Sequence, residues 1–300
     1  MALEFRQLQP VFAAEASGVD LRNPIGRETA AEIEAAMDRY AVLVFRDQPL
    51  DEDQQIAFSA HFGPLDPGLR QVFKGAKSRF KNPEIIDIAN VNVKGDVLKR
   101  DSFKNLANLA NQLWHSDSSF QRPAAKYSML SAHVIPASGG DTEFADERAA
   151  YDTLPDETKR QIENLVGEHS ALYSRMTLAD ITFSEEERAV LPPVQWPLVR
   201  VHPGSGRKTL FLAAHITHVL GMSTAEGRLL VMDLMEHATQ REFVYRHKWR
   251  LGDLVIWDNR CVMHRGRPYD LSERRELRRT TNIDLLSADE PLPQQQSATG

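Results

Sequence analysis

Cysteine is nearly absent: a single residue, Cys261, rules out an intramolecular disulfide framework. Long apolar runs are missing too. The longest candidates are pieces such as Ala41 to Phe45, far short of the roughly 18 residues needed to cross a bilayer, so no membrane insertion is expected. The N-terminus, Met1-Ala2-Leu3-Glu4-Phe5-Arg6, lacks the apolar core of a secretion signal. With only one cysteine, a cytoplasmic location is expected. Positive charge is not in excess either: 36 Lys and Arg face 42 Asp and Glu, for a net charge of -6 and a pI near 5.9. A protein whose main partner is nucleic acid needs a basic face to displace counterions, and this balance argues against one.

What is present is an ordinary globular composition, 42% apolar over 300 residues, with no internal repeat and room for a large core. Residues 1–290 read as one domain, and the Pro, Gln, Ser and Gly of 291–300 as a disordered tail. Ile33, Met37 and Tyr40 recur at helical spacing before the buried strand Ala41 to Phe45. Asp51 and Gln54 form a capping box for a helix that stops at Gly63-Pro64. Ile85 to Val93 and Lys126 to Ile135 read as strands, and Ala137 to Asp141 as a turn into Thr142-Glu143-Phe144. A helix is expected to open at Thr153 to Asp156, carry Ile162, Leu165 and Val166, and close at Gly167, with a loop over 182–196. His202 to Lys208 reads as a hairpin turn, Ser223 with Glu226 as a second capping box, and Phe243 to Tyr245, Leu254 to Trp257 and the residues after Arg275 as strands.

The chemistry centres on Trp114-His115-Ser116-Asp117. In an extended segment His115 and Asp117 share a face, offering a divalent metal two of the three ligands of a 2-His-1-carboxylate set. Alone the pair is weak, since ten His in a chain this long yield about one His-x-Asp by chance. Far downstream, Trp257 to Gly266 contains His264, the candidate third ligand. Arg275 and Arg279, four apart, share a face and suggest two carboxylates to be held. The bland alternatives are a hydrogen-bonded His-Asp pair, a solvated Arg face neutralised by Glu273 and Glu276, and a Thr142 that is merely a strand residue. Arg274 and Arg278 read as that solvated face, Cys261 as a small buried residue and Trp257 as core. His61, His133, His169, His215, His218, His237 and His247 lack a matching context and read as core or surface residues.

Asn111 to Phe120, Gly139-Gly140-Asp141-Thr142-Glu143-Phe144, Ala238 to His247 and Trp257 to Gly266 together resemble the alpha-ketoglutarate-dependent taurine and 2,4-dichlorophenoxyacetate dioxygenase family, and within it the herbicide-degrading 2,4-dichlorophenoxyacetate branch, over roughly residues 5 to 285. The resemblance implies a mainly β protein with flanking helices, a double-stranded β-helix or cupin-like jelly roll. It implies Fe(II) bound by His115, Asp117 and His264, and alpha-ketoglutarate and O2 as co-substrates, with ascorbate helping to maintain Fe(II). It also implies that Thr142 and Arg275 bind the distal carboxylate of alpha-ketoglutarate, that Arg279 holds the acid group of a small-molecule substrate, and that His202 contacts substrate near its ether oxygen. In the section Leu69 to Lys99 the chain departs from the family's lysine pattern, with Gln71 and Asp96 near expected lysines and Lys74, Lys94 and Lys99 as substitutes. The implied reaction hydroxylates the carbon alpha to the carboxylate of an aryloxyacetate, giving a phenol, glyoxylate, succinate and CO2. Rival readings are the same chemistry on another carboxylate or a sulfonate such as taurine, a zinc hydrolase, and a non-catalytic acid-binding barrel. A homo-oligomer is left open.

Overall fold

In the computed structural model residues 3–68, 78–178 and 182–293 are described. Lys74 and the last part of the expected tail, 294–300, lie outside them. The first half supplies β1 (Glu4–Gln7), β2 (Ala14–Ser17), helix α1 (Arg27–Tyr40), β3 (Val42–Phe45), α2 (Glu52–Ser59), β4 (Ile86–Ala89), α3 (Phe103–Leu109), β5 (Ala125–Val134) and β6 (Thr142–Asp146). Helices α4 (Glu147–Thr153) and α5 (Asp156–Ile162) lead to β7 (Val166–His169), then α6 (Tyr173–Leu178), α7 (Glu185–Val190), β8 (Val194–Pro197), β9 (Val199–Val201), β10 (Lys208–Leu210) and β11 (Ile216–Val219). Helix α8 (Thr224–Ala238) precedes β12 (Val244–His247), β13 (Leu254–Asp258), β14 (Val262–Gly266) and β15 (Glu276–Ile283).

The major sheet runs β1-β2-β3-β13-β5-β15-β4, and a smaller one runs β12-β6-β14. Both faces of the major sheet are covered, which is why Val42 to Phe45 is an unbroken apolar run and not an alternating one. Leu43 and Phe45 pack outward with Ile33, Met37 and Phe58 of the helices. Val42 and Val44 point inward, joining Val255 and Trp257 of β13, Phe144 of β6 and Val262 of β14. That inner cluster is the filling of a two-sheet jelly roll, and His264 packs against it, its ring 6.2 Å from that of Phe144 and 4.7 Å from that of Trp257.

Both sequence capping boxes are present: Gln54 N donates to the Asp51 carboxylate, and Glu226 N to Ser223 Oγ. The hairpin around His202 forms as expected, with Lys208 opposite Val201. Three readings differ. The helix expected through Gly167 ends at Ile162, because the carbonyls of Leu165 and Val166 accept from Leu198 N and Leu220 N, drawing the segment into a strand. The strand expected over Ile85 to Val93 is confined to Ile86–Ala89. The loop at 182–196 holds α7 and the start of β8. Among the described residues no helix is long and apolar enough to cross a membrane.

Candidate active site

His115 and His264 are brought together by backbone alone. His115 N donates to His264 O at 3.0 Å and His264 N to His115 O at 2.8 Å, an isolated antiparallel bridge. The expected strand is only that one bridge long, for the chain turns from Asp117 onward and Ser118 adopts φ 51°. His115 and Asp117 nevertheless face the same way, with Ser116 between them directed to Val262 O, as extended alternation requires, and the turn begins only after that spacing is set. One donor atom from each of His115, Asp117 and His264 lies within 4.8 Å of the others, and all three residues are buried.

The donor set suits a divalent ion. His115 Nδ1 sits 2.8 Å from Leu113 O, which can only accept, so Nδ1 carries the hydrogen and Nε2 keeps its lone pair. Burial and its imidazole neighbour push His264 well below the ordinary histidine range, so it too is neutral. Burial pushes the Asp117 carboxyl up, but the Arg279 guanidinium, helped by the Ser128 hydroxyl, outweighs it and leaves it at about 2. Two neutral imidazoles and one carboxylate, gathered on one side, leave further positions open to exogenous ligands.

Asp117 is also braced. Ser128 Oγ donates to Asp117 Oδ2 at 2.7 Å, Asn259 Nδ2 donates to Ser128 Oγ at 3.0 Å, and Asn259 Oδ1 accepts from Asp117 N at 3.0 Å. Ser116 turns away, donating to Val262 O at 3.2 Å, and Trp114 packs in the apolar cluster under α4 and α8 with the Arg265 guanidinium over its ring.

Beside the triad lies a cavity of about 100 Å³, smaller than the few hundred Å³ of a drug-sized pocket. His115, His264, Thr142, Arg275, Arg279, Trp257 and Tyr269 are among its lining residues. Arg275 is 9% exposed, and among the described residues no carboxylate lies within ion-pair distance. Its Nη2 donates to Gly140 O at 3.0 Å, and its guanidinium lies 5.3 Å from the centre of the Tyr269 ring. Burial pushes Arg275 down to about 10, so it stays a cation at neutral pH and lacks only an anion. Gly140 is required here: at φ +71° a Cβ would stand 3.1 Å from Arg275 Nε.

Arg279, four residues further on and within β15, donates from Nη1 to Asp117 Oδ1, while its buried Nε has no partner among the described residues. His202 is not brought to the cavity. Its Nε2 is 3.0 Å from Asp258 Oδ2 and its Nδ1 2.9 Å from Ser205 Oγ, so both nitrogens are spent and the expected substrate contact has no free atom to make it. Although His202, Asp258 and Cys261 also cluster at ligand distance, Arg260 already grips Asp258 through Nε at 2.8 Å and Nη2 at 2.6 Å, which neutralises the carboxylate without a metal. Lys94 and Lys99 are exposed and do not line the cavity.

Sequence reasoning passed over His215. Its ring lies edge-on to His115 with centroids 5.8 Å apart and to Phe120 at 5.0 Å, and Ser174 Oγ lies 3.1 Å from its Nδ1. No motif or period marks it. It reaches the site because it immediately precedes β11, a placement only the tertiary fold specifies.

Residues 4–281 match the family described as taurine catabolism dioxygenase TauD, TfdA family. The chain is 58% identical over 284 residues to an alpha-ketoglutarate-dependent 2,4-dichlorophenoxyacetate dioxygenase of Cupriavidus pinatubonensis, covering 95% of this chain and 99% of that one. It is 35% identical to an (S)-phenoxypropionate/alpha-ketoglutarate-dioxygenase of Sphingobium herbicidovorans, covering 91% and 92% of the two chains. Among solved structures, AAD-2 in complex with Mn(II) and N-oxalylglycine superposes with a TM-score of 0.88 at 49% identity, over 98% of this chain and 100% of that one. The chain belongs to the TauD/TfdA dioxygenase family.

Proposed function

We propose that the protein is an Fe(II)- and alpha-ketoglutarate-dependent dioxygenase that hydroxylates the carbon between the ether oxygen and the carboxylate of an aryloxyacetate such as 2,4-dichlorophenoxyacetate. One observation carries this reading: the two histidines of a buried His-Asp-His set and a buried guanidinium with no carboxylate at ion-pair distance among the described residues line the same cavity. His115, Asp117 and His264 would hold Fe(II), which when bound supplies activation of O2 and oxidation of alpha-ketoglutarate to succinate and CO2. Arg275 takes the distal carboxylate of alpha-ketoglutarate in a two-pronged ion pair, with the Thr142 hydroxyl as a further donor. That sets the far end of the co-substrate, so its keto acid end points back toward the triad.

Arg279 is the anchor for the substrate acid. Its free Nε gives a carboxylate a hydrogen bond, while Nη1 stays on Asp117, so the acid group is held close to the metal ligands. Holding the acid there places the neighbouring carbon for oxidation. The hydroxylated product is a hemiacetal, which breaks into a phenol and glyoxylate. We take residues 1–290 to work as one domain in the cytoplasm.

Incubation of purified protein with Fe(II), ascorbate, alpha-ketoglutarate and a panel of aryloxyacids, other carboxylates and taurine, following succinate and O2, tests this. An aryloxyacetate should give the strongest stimulation together with a phenol. Sulfite from taurine in preference to phenol would overturn the substrate, and no stimulation by any acid would overturn the activity.

A further inference from the structure

We propose that Trp249 is a positioning residue for the co-substrate: its indole N–H holds the Thr142 hydroxyl as a donor facing the alpha-ketoglutarate carboxylate. The inference rests on Thr142 and Arg275 binding that carboxylate. Trp249 Nε1 lies 3.0 Å from Thr142 Oγ1. An indole N–H only donates, so the bond occupies a lone pair of Oγ1 and leaves the hydroxyl's own hydrogen to find another acceptor. A Ser, Asn or Gln in this place could reverse its role and accept; Trp cannot. Among the described residues no acceptor for that hydrogen is found, and buried Thr142 lines the cavity with Arg275. The geometry therefore turns an ambivalent hydroxyl into a dedicated anion donor.

Trp249 is itself held. It follows β12, whose His247 lies opposite Thr142 on β6. The Trp249 ring stands edge-on to His247, centroids 4.5 Å apart at 82°. His247 in turn lies 3.0 Å from Asp253 Oδ2 through Nε2 and 3.1 Å from the Tyr245 hydroxyl through Nδ1. This series of contacts runs from the core to Thr142 and stops there: Trp249 is not among the cavity-lining residues, so it acts through the threonine.

The test is a double-mutant cycle on Mn(II)-loaded protein, with the Kd of alpha-ketoglutarate and of N-oxalylglycine read by calorimetry. Trp249→Phe keeps a ring and removes the donor; it should weaken both ligands roughly fivefold, the worth of one hydrogen bond. Thr142→Val should weaken them at least as much, and adding Trp249→Phe in the Thr142→Val background should cost nothing more. With Fe(II), Trp249→Phe should raise the KM for alpha-ketoglutarate by the same factor and leave kcat and the KM for the acid unchanged. If Trp249→Phe does not melt cooperatively, Trp249→Leu carries the same cycle. The proposal is overturned if Thr142→Val weakens binding while Trp249→Phe does not, or if the tryptophan change is as damaging without the hydroxyl. If Thr142→Val leaves binding intact, the reading of Thr142 as a co-substrate ligand fails as well.

Discussion

Replacing Arg275 by Met separates binding from folding, because the two effects run in opposite directions. The guanidinium is buried, and with no carboxylate at ion-pair distance among the described residues burial pushes its pKa down to about 10. Sign matters here: a base with a depressed folded pKa destabilises the fold throughout the range where it stays charged, and the cost fades only as pH rises through the folded value. The shift corresponds to about 3 kcal/mol at neutral pH. Met keeps an apolar stem of similar reach but loses the bond to Gly140 O and the contact with Tyr269, together worth about 1 to 2 kcal/mol. The net gain is about 1 to 2 kcal/mol, a rise in Tm of a few degrees for a chain of this size. Co-substrate binding moves the other way. Losing a two-pronged, charge-assisted pair costs at least about 3 kcal/mol, raising the KM for alpha-ketoglutarate more than about a hundredfold. Scanning fluorimetry with and without alpha-ketoglutarate reads both effects: the variant should melt above the parent without ligand and gain nothing from ligand that stabilises the parent. A variant that melts below the parent and keeps an alpha-ketoglutarate KM within threefold would refute the assignment of this guanidinium as an anion site.

Arg279→Ala should raise the KM for the acid substrate at least tenfold and leave metal binding intact; an unchanged KM for every acid tried would remove Arg279 as the anchor. Asp117→Ala should abolish Fe(II) binding in a metal titration, whereas Ser116→Ala should keep it and lose only about 1 kcal/mol of stability from its bond to Val262 O. At the buried pair of Asp258 and Arg260, Asp258→Asn strands a guanidinium and should cost roughly 3 to 5 kcal/mol in urea melts. Arg260, with His202, holds the Asp258 carboxyl well below the usual range against the burial that opposes it. Its contribution is therefore present above about pH 4 and lost as pH falls further, so the variant's stability should vary less with pH on the acid side than the parent's; a parallel decline would contradict this.

Local signals were legible where the physics is local. The capping boxes at Asp51 and Ser223 need only four residues each, and helix α1 shows its buried stripe in Ile33, Met37 and Tyr40. Val166 misled because apolar spacing alone does not reveal that β8 and β11 will claim its backbone. The shared face of His115 and Asp117 was legible from alternation, but the strand expected around them is a single bridge that ends in a turn at Ser118, and its pairing with His264 is a long-range contact that no local pattern shows. Arg275 and Arg279 stood out by their spacing of four and Thr142 by resemblance, and all three line one cavity. The resemblance also pointed to His202, but its partner Asp258 is remote in sequence and takes it out of reach. Neither His215 nor Trp249 carries any periodic or spacing signal, since each matters only through a neighbour the fold brings to it.

The reciprocal backbone bridge between His115 and His264 has a thermodynamic side. Two of the three ligand-bearing residues are already fastened to each other, so an incoming ion organises side chains and little main chain. Little conformational entropy is then lost on binding, and ions that tolerate the same donors compete on bond strength, in the order that runs from Mn(II) through Fe(II) to Cu(II). A cradle this ready cannot reject a stronger-binding ion by refusing to fold around it. Selectivity for iron must come from the supply of metal around the protein, and displacement by zinc or copper is the failure such a site invites.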